Sequence, residues 1–231
     1  LDINDEKFSE NGAEFFSNKK KIIEESDILL QLNLPDEKDL EILTPNKNLI
    51  GVFDPTNNQD RISKLSSNNI NVFSLELLPR ITRAQSMDIL SSQANLAGYK
   101  AVVDAFSFFN KAIPMMMTAA GTIPAAKVLI VGAGVAGLQA IATAKRMGAI
   151  VFATDVRMAS KEQVESLGGK FLVVEGSENL ETSGGYAKET SPEFKKKQEE
   201  LLVETLKKID IVICTALIPV SYTHLTLPTI R

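Results

Sequence analysis

Three glycines near the middle of the chain have the spacing of a turn that holds phosphate groups. Gly132, Gly134 and Gly137 follow the apolar run 128–131 and precede an alanine-rich segment. In such a turn the first glycine permits a tight bend, the second lets the backbone approach a pyrophosphate, and the third lets a helix pack on a strand. The N–H groups at the start of that helix attract phosphates. The pattern predicts a dinucleotide-binding turn made of Gly132, Ala133, Gly134, Val135, Ala136 and Gly137.

An acidic residue, Asp155, ends the next predicted strand and completes this pattern. Its carboxylate can accept hydrogen bonds from the hydroxyls of an adenosine ribose and would repel a 2′-phosphate, which favours NAD over NADP. Arg157 supports the opposite choice, because an arginine can hold a 2′-phosphate. The position of the acid at the strand end favours NAD(H) as the cofactor. A Rossmann-like unit that binds no nucleotide is the alternative.

A second polar cluster lies between a predicted strand and a long predicted helix, and it contains Arg80, Gln85 and Asp88. These side chains could bind a polar ligand. From the pattern alone, capping of the long helix by Thr82 or Ser86, with an acid in its first turn, explains the cluster better.

A third candidate lies in segment 175–191, which is rich in Gly, Ser, Thr and Glu. Such a composition cannot bury much apolar surface and predicts a long loop. Its paired glycines could act as hinges, and Tyr186 could close over a ligand. A plain surface loop explains the composition equally well.

Other kinds of chemistry lack a sequence signal. The chain has one histidine, His224, and one cysteine, Cys214, so no metal site is predicted. No nucleophile elbow or carboxylate pair is visible. Cys214 follows apolar residues and is predicted to be a small core residue. The formal net charge of −4 does not suggest a nucleic-acid partner, and 44% hydrophobic with 23% charged residues is typical of a soluble globular protein.

The elements that must position these residues alternate between strand and helix. The first part of the chain predicts helices over 13–25 and 60–67, and strands over 27–34, 48–53 and 70–78. Strands separated by helical segments predict a parallel, doubly wound sheet. A long helix is predicted over 91–109 to link two lobes, and 111–127 is predicted to be irregular.

The second half of the chain repeats the alternation around the glycine turn. Strands are predicted over 127–132, 150–155, 170–174 and 209–215, with helices over 135–147, 161–167 and 192–208. The uncharged stretch 128–144 is short for a membrane span, and its glycines favour strand, turn and helix. The fold class is therefore α/β, with two Rossmann-like doubly wound parallel-sheet lobes joined by a long helix. The predicted lobes are 1–110 and 111–219.

Both ends of the sequence suggest a piece of a longer protein, so both lobes are expected to be truncated. The chain opens on Leu1 without an initiator methionine. The tail 220–231 is weakly patterned and follows a strand where the next helix should begin. It is expected to be non-native.

Taken together, these motifs closely resemble the NAD(H)-binding domain I of the alpha subunits of proton-translocating NAD(P) transhydrogenases, in the alanine dehydrogenase/transhydrogenase family. The resemblance is carried by segments 79–99, 132–137, 184–188 and 215–219, and more loosely by 1–78. It implies that Arg80, Gln85, Asp88 and Ser91 contact the nicotinamide, that Tyr186 closes over bound nucleotide, and that Asp155 binds the ribose.

The resemblance also implies an assembly. Domain I forms homodimers and exchanges hydride with NADP(H) bound on a separate domain, and a membrane domain couples this to proton translocation. This chain would then lie peripherally on the cytoplasmic face of the inner (plasma) membrane. Hydride transfer between two nicotinamides needs alignment and exclusion of water rather than a general acid, which fits a site without histidine.

Two alternatives stay open at this point. Alanine dehydrogenase shares the fold, but it carries a histidine near the end of the strand corresponding to 48–53, whereas this chain reads Gly-Val-Phe-Asp-Pro over 51–55. Oxidative deamination needs a proton shuttle. The other alternative is a non-catalytic NAD-binding module used for assembly or sensing.

Overall fold

The computed structural model of the chain describes residues 3–79, 81–174 and 192–216. Arg80, the segment 175–191 with Tyr186, and the tail 220–231 therefore lie outside the described residues. The chain divides into two compact units, Leu1–Leu90 and Ser91–Arg231.

The first unit is built on a parallel sheet of three strands, β1 (Ile28–Gln31), β2 (Asn48–Gly51) and β3 (Asn71–Ser74), in the order β1-β2-β3. Its helices are α1 (Asp5–Glu10), α2 (Lys19–Glu25), α3 (Glu37–Ile42) and α4 (Gln59–Ser67), and 3-10 turns follow at Leu75–Leu77 and Thr82–Met87. Its core contains Ile23, Leu29, Leu40, Leu43, Leu49, Phe53, Leu65 and Ile70.

Strand β1 is covered on one face only by the described residues. Leu29 is buried, whereas Ile28 and Leu30 are 57% and 76% exposed, because successive side chains of a strand point to opposite faces. The prediction of a fully buried strand over 27–34 is therefore wrong in length and in burial.

Capping side chains decide where the short helices of this unit begin. The helix predicted over 13–25 spans only α2, because the side chain of Asn18 accepts a hydrogen bond from the N–H of Lys20 and caps it there. Helices α1 and α3 were not predicted. They begin after Asn4 and Asp36, whose side chains cap them in the same way.

The second unit begins with α5 (Ile89–Phe108, of which Ser91 onward belongs to this unit) and continues with an antiparallel hairpin, β4 (Met116–Thr118) and β5 (Gly121–Ile123). The hairpin replaces the irregular connection predicted over 111–127, because Gly121 (φ +133°) permits a tight turn between the two strands. The predicted lobe boundary lies at 110/111, whereas the compact units divide at Leu90, because Val102 and Phe106 of α5 belong to the second core.

The main sheet of the second unit is parallel and has the order β8-β7-β6-β9. Its strands are β6 (Lys127–Val131), β7 (Ile150–Thr154), β8 (Lys170–Phe171) and β9 (Ile211–Cys214), and its helices are α6 (Val135–Arg146), α7 (Ser160–Ser166) and α8 (Pro192–Leu206). The chain winds from β6 towards β8 and then crosses to β9 on the other side of β6. Ligands bind at such a reversal of strand order, beyond the carboxyl ends of the strands.

Cys214 is exposed, so its prediction as a core residue is wrong. Ile211 and Ile213 of β9 are buried in the second core. The two-residue period of the strand turns Cys214 to the opposite face.

The uncharged stretch 128–144 forms β6, the glycine turn and most of α6, as predicted. Within the described parts of the chain, no helix has the length and apolar character needed to cross a membrane.

Candidate nucleotide-binding site

The glycine turn follows β6 at the reversal of strand order. Gly132 has φ +98°, a left-handed conformation that side chains rarely adopt. Its N–H donates to the carbonyl of Thr154 at the end of β7, at 2.8 Å. The first glycine of the motif is therefore needed for the bend itself.

Gly137 is needed for packing. A Cβ atom at this position would lie 1.9 Å from the carbonyl oxygen of Gly132, so only glycine lets α6 approach the turn so closely. The hydroxyl of Thr215, which directly follows β9, donates to the same carbonyl oxygen at 2.9 Å.

Gly134 differs from the other two glycines because the fold does not require it. Its φ of −77° and ψ of −168° are available to other residues. Among the described residues, a Cβ atom here would come within 4 Å of one group only, the Nη2 atom of Arg157, at 4.0 Å. The backbone at Gly134 is therefore open to an approaching group, as the second glycine of a pyrophosphate-binding turn must be.

The Asp155 carboxylate lies beside this turn and is almost fully buried, with 7% of its side chain exposed. Its Oδ2 atom accepts from the backbone N–H of Ala133 at 2.7 Å, and its Oδ1 atom accepts from the backbone N–H of Arg157 at 2.8 Å. The Arg157 guanidinium pairs with both oxygens, Nε with Oδ1 and Nη2 with Oδ2, each at 2.9 Å. The predicted ribose acid and the predicted turn are thus directly hydrogen-bonded.

These contacts set the ionisation of the acid. Burial alone would raise the pKa of Asp155, but the hydrogen bonds from Arg157 and Ala133 outweigh it and hold the pKa below its ordinary value of 3.8. The carboxylate is therefore negatively charged at neutral pH.

The lowered pKa predicts how stability depends on pH. A carboxyl whose pKa is lower in the folded chain stabilises the fold above its ordinary pKa, and this contribution is lost as the pH falls through the folded pKa. We expect the difference in unfolding free energy between the unmodified chain and Asp155→Asn to be constant from neutral pH to about pH 5 and to shrink only below about pH 4. Urea unfolding at several pH values measures it, and a difference that disappears between about pH 5 and 7 would contradict the ion pair.

Ser91 lies on the side of α5 that faces the turn. Gly98 of α5 packs directly on the start of α6, since a Cβ atom there would lie 2.1 Å from the carbonyl oxygen of Ala136. Ser91 precedes Gly98 by two helical turns, so it shares that face and lies roughly 10 Å along the helix axis.

The remaining predicted contacts to the nicotinamide belong to the first unit or lie outside the described residues. Gln85 is exposed in the 3-10 turn Thr82–Met87, and Asp88 directly precedes α5. Thr82 and Ser86 lie inside that turn, so neither occupies the position directly before α5 that the capping alternative requires.

Two residues at the site were not predicted, Gly98 and Thr215. Their roles come from a close helix contact and from the placement of β9 beside β6, and strand order cannot be read from the local sequence. Among the described residues, no cluster of three or more histidine, cysteine or acidic side chains could hold a metal ion.

Comparison with known proteins places both halves of the chain in one family. Residues 101–225 match the family model described as alanine dehydrogenase/PNT, C-terminal domain, and residues 1–97 match alanine dehydrogenase/PNT, N-terminal domain.

Individual relatives are similar over nearly the whole chain. An NAD(P) transhydrogenase alpha subunit of Rhodospirillum rubrum, the first of the pieces that form that subunit, is 49% identical over 224 residues, which cover 94% of this chain and 58% of the relative. The protein of the same name from Rickettsia prowazekii is 48% identical over 219 residues, covering 93% of this chain and 57% of the relative. The chain thus spans somewhat more than half the length of these relatives.

Solved structures agree with this relationship. The crystal structure of transhydrogenase from Sinorhizobium meliloti has a TM-score of 0.79 and 47% identity, covering 94% of this chain and 58% of that one. An L-alanine dehydrogenase shares the fold, with a TM-score of 0.60 and 19% identity over 73% of this chain and 47% of that one. The predicted α/β fold with Rossmann-like parallel sheets and the predicted resemblance are both confirmed. The chain therefore belongs to the alanine dehydrogenase/PNT family, and within it resembles the alpha subunits of NAD(P) transhydrogenases.

Proposed function

We propose that this chain is the NAD(H)-binding part of an NAD(P) transhydrogenase, an oxidoreductase that transfers hydride between NADH and NADP bound on a partner domain. The observation that carries the proposal is the buried, ionised Asp155 carboxylate beside an open glycine turn at the reversal of strand order. This combination fits a dinucleotide whose adenosine ribose carries free hydroxyls.

The proposed pose follows from the geometry of the second unit. The pyrophosphate lies over Gly134 at the N-terminus of α6, where backbone N–H groups and the helix dipole attract it. The adenosine ribose donates to Asp155, and Arg157 lies at the same end of the nucleotide. The nicotinamide extends towards the face of α5 that carries Ser91.

The resemblance assigns the nicotinamide contacts to Arg80, Gln85, Asp88 and Ser91, and the covering of bound nucleotide to Tyr186. In the reaction a hydride leaves C4 of the dihydronicotinamide and adds to C4 of the oxidised ring of NADP, so no proton is exchanged at the reacting carbons. The protein must bind the ring, orient it and exclude water. Polar side chains that hold the carboxamide are sufficient for this role.

The assembly is also included in the proposal, with a homodimer of this domain, an NADP-binding domain and a membrane subunit that couples the reaction to proton translocation. We place the chain peripherally, on the cytoplasmic face of the inner membrane. Because the hydride acceptor is held on another domain, the chain alone should be inactive.

The hairpin β4–β5 supports the homodimer. Met116, Met117 and Ile123 are 45%, 82% and 41% exposed, and in the described chain the hairpin pairs with no further strand. An isolated two-stranded ribbon is marginally stable in water, and packing against a second copy would cover this apolar surface.

Cofactor selectivity tests the nucleotide assignment. We expect the chain to bind NADH more tightly than NADPH, and Asp155→Asn to weaken NADH binding by roughly 1–3 kcal/mol because the ribose loses a charged acceptor. Calorimetric titration with both nucleotides measures this. Equal or tighter binding of NADPH by the unmodified chain would refute the assignment.

Asp210→Asn provides a matched control. Asp210 also accepts a backbone hydrogen bond, from the N–H of Lys127 at 2.9 Å, but at the amino end of the sheet, away from the turn. Its replacement should leave the affinity for NADH unchanged. A similar loss in both variants would indicate a general effect on the fold.

A further inference from the structure

The Asp155 carboxylate has no acceptor position left for a ribose. Each of its oxygens accepts one backbone N–H and one N–H of the Arg157 guanidinium, at distances of 2.7 to 2.9 Å. A carboxylate offers about four lone-pair sites. The bond from Ala133 and the backbone bond from Arg157 belong to the turn and strand end, so they cannot be given up without moving the main chain.

The guanidinium is the group that can leave. The Arg157 side chain is 19% exposed, against 7% for Asp155, and it can rotate without moving the backbone. Its Nε and Nη2 atoms present two donors to two oxygens. The 2′- and 3′-hydroxyls of a ribose would present the same number of donors to the same atoms.

We propose that Arg157 is a specificity-determining residue that occupies the ribose subsite of the empty protein and must release Asp155 when NADH binds. The inference rests on the proposed function, because it assumes that the ribose binds at Asp155. It assigns to Arg157 the opposite role from a simple cofactor contact, since the arginine competes with the ribose of NADH.

The competition has different consequences for the two nucleotides. Binding of NADH must replace a charge-assisted pair with bonds to neutral hydroxyls, which weakens the net affinity. Binding of NADPH brings a 2′-phosphate next to Asp155, and the released guanidinium can offset the repulsion between the two negative groups. Arg157 therefore narrows the preference for NADH over NADPH.

The test is Arg157→Gln, which removes the charge and the bidentate pair. Arg146→Gln is the matched control, because Arg146 is an exposed residue in the last turn of α6, at the end opposite the glycine turn. Affinities for NADH and NADPH are measured on the full chain at neutral pH. We expect Arg157→Gln to bind NADH more tightly and NADPH more weakly, so that the selectivity ratio rises roughly tenfold, the size of one charge-assisted hydrogen bond. Arg146→Gln should leave the ratio unchanged.

The ribose itself is tested with ADP and 2′,3′-dideoxy-ADP. We expect the gain of Arg157→Gln to appear with ADP and to be absent with the dideoxy analogue, which has no hydroxyls to donate to Asp155. A structural role of Arg157 would change both affinities equally. Arg157→Lys is the second variant should the glutamine variant unfold, because it keeps the charge but cannot form the fork, and we expect it to bind both NADH and NADPH more tightly.

Several outcomes overturn the inference. If Arg157→Gln binds NADH less tightly, or leaves the selectivity ratio unchanged, Arg157 is not a competitor of the ribose. The same holds if the dideoxy analogue gains as much as ADP. If the unmodified chain binds NADH but the ratio does not respond, only this inference fails. If the unmodified chain binds no NADH, the proposed function fails with it.

Discussion

Gly134→Ala should leave the chain as stable as the unmodified protein while weakening NADH binding by tenfold to a hundredfold, or roughly 1–3 kcal/mol. The fold tolerates a Cβ atom at this position, because the backbone is in an ordinary region and the nearest described group lies 4.0 Å away. The pyrophosphate, by contrast, needs to approach the backbone at this point. A methyl group would push it away from the N–H groups of the turn.

Gly137→Ala should have the opposite character. Its Cβ atom would lie 1.9 Å from the carbonyl oxygen of Gly132, so the turn and α6 must separate, at a cost of roughly 2–4 kcal/mol in unfolding free energy. Urea unfolding and NADH titration on both variants distinguish the two glycines. If Gly134→Ala binds NADH normally, the phosphate does not lie over this turn.

Gln85→Ala and Asp88→Ala are expected to slow hydride transfer about a hundredfold with little change in NADH affinity. The adenosine and pyrophosphate contacts, which lie in the second unit, supply most of the proposed binding energy. The nicotinamide contacts mainly fix the ring orientation, and small errors in orientation affect the transition state more than ground-state binding.

Transfer is measured in the presence of an NADP-binding partner domain, with NADH affinity determined on the same samples. Ser86→Ala is the matched control, since Ser86 is exposed in the same 3-10 turn as Gln85 and should transfer at the normal rate. Normal transfer by both Gln85→Ala and Asp88→Ala would leave the segment with no role beyond starting α5.

The nucleotide site was largely predictable because its signals are local. A glycine with φ +98°, a glycine in contact with a carbonyl, and an acid at a strand end each leave a residue type at a fixed spacing. What the local sequence could not provide was the pairing of Asp155 with Arg157. The two residues were predicted as rival contacts to the cofactor, and in the folded chain they bind each other.

The errors arose where a longer-range effect decides the outcome. The apolar run containing Cys214 predicts burial, but only alternate residues of β9 face the second core. The methionine-rich segment after α5 has the prolines of an irregular connection, and it forms a hairpin all the same. Asn18 interrupts an amphipathic pattern that otherwise predicts a longer helix. In each case the residue types are compatible with both structures, and packing or capping selects one.

Hydride transfer itself is the most direct test of the central claim. The chain is mixed with NADH, a purified NADP-binding domain from a transhydrogenase, and the thionicotinamide analogue of oxidised NADP, whose reduced form absorbs separately from NADH. The account predicts reduction of the analogue only when chain and partner domain are both present, and its loss with Gly134→Ala. Failure to reduce the analogue, with NADH instead oxidised when pyruvate and ammonium are supplied, would contradict it and identify the chain as an alanine dehydrogenase.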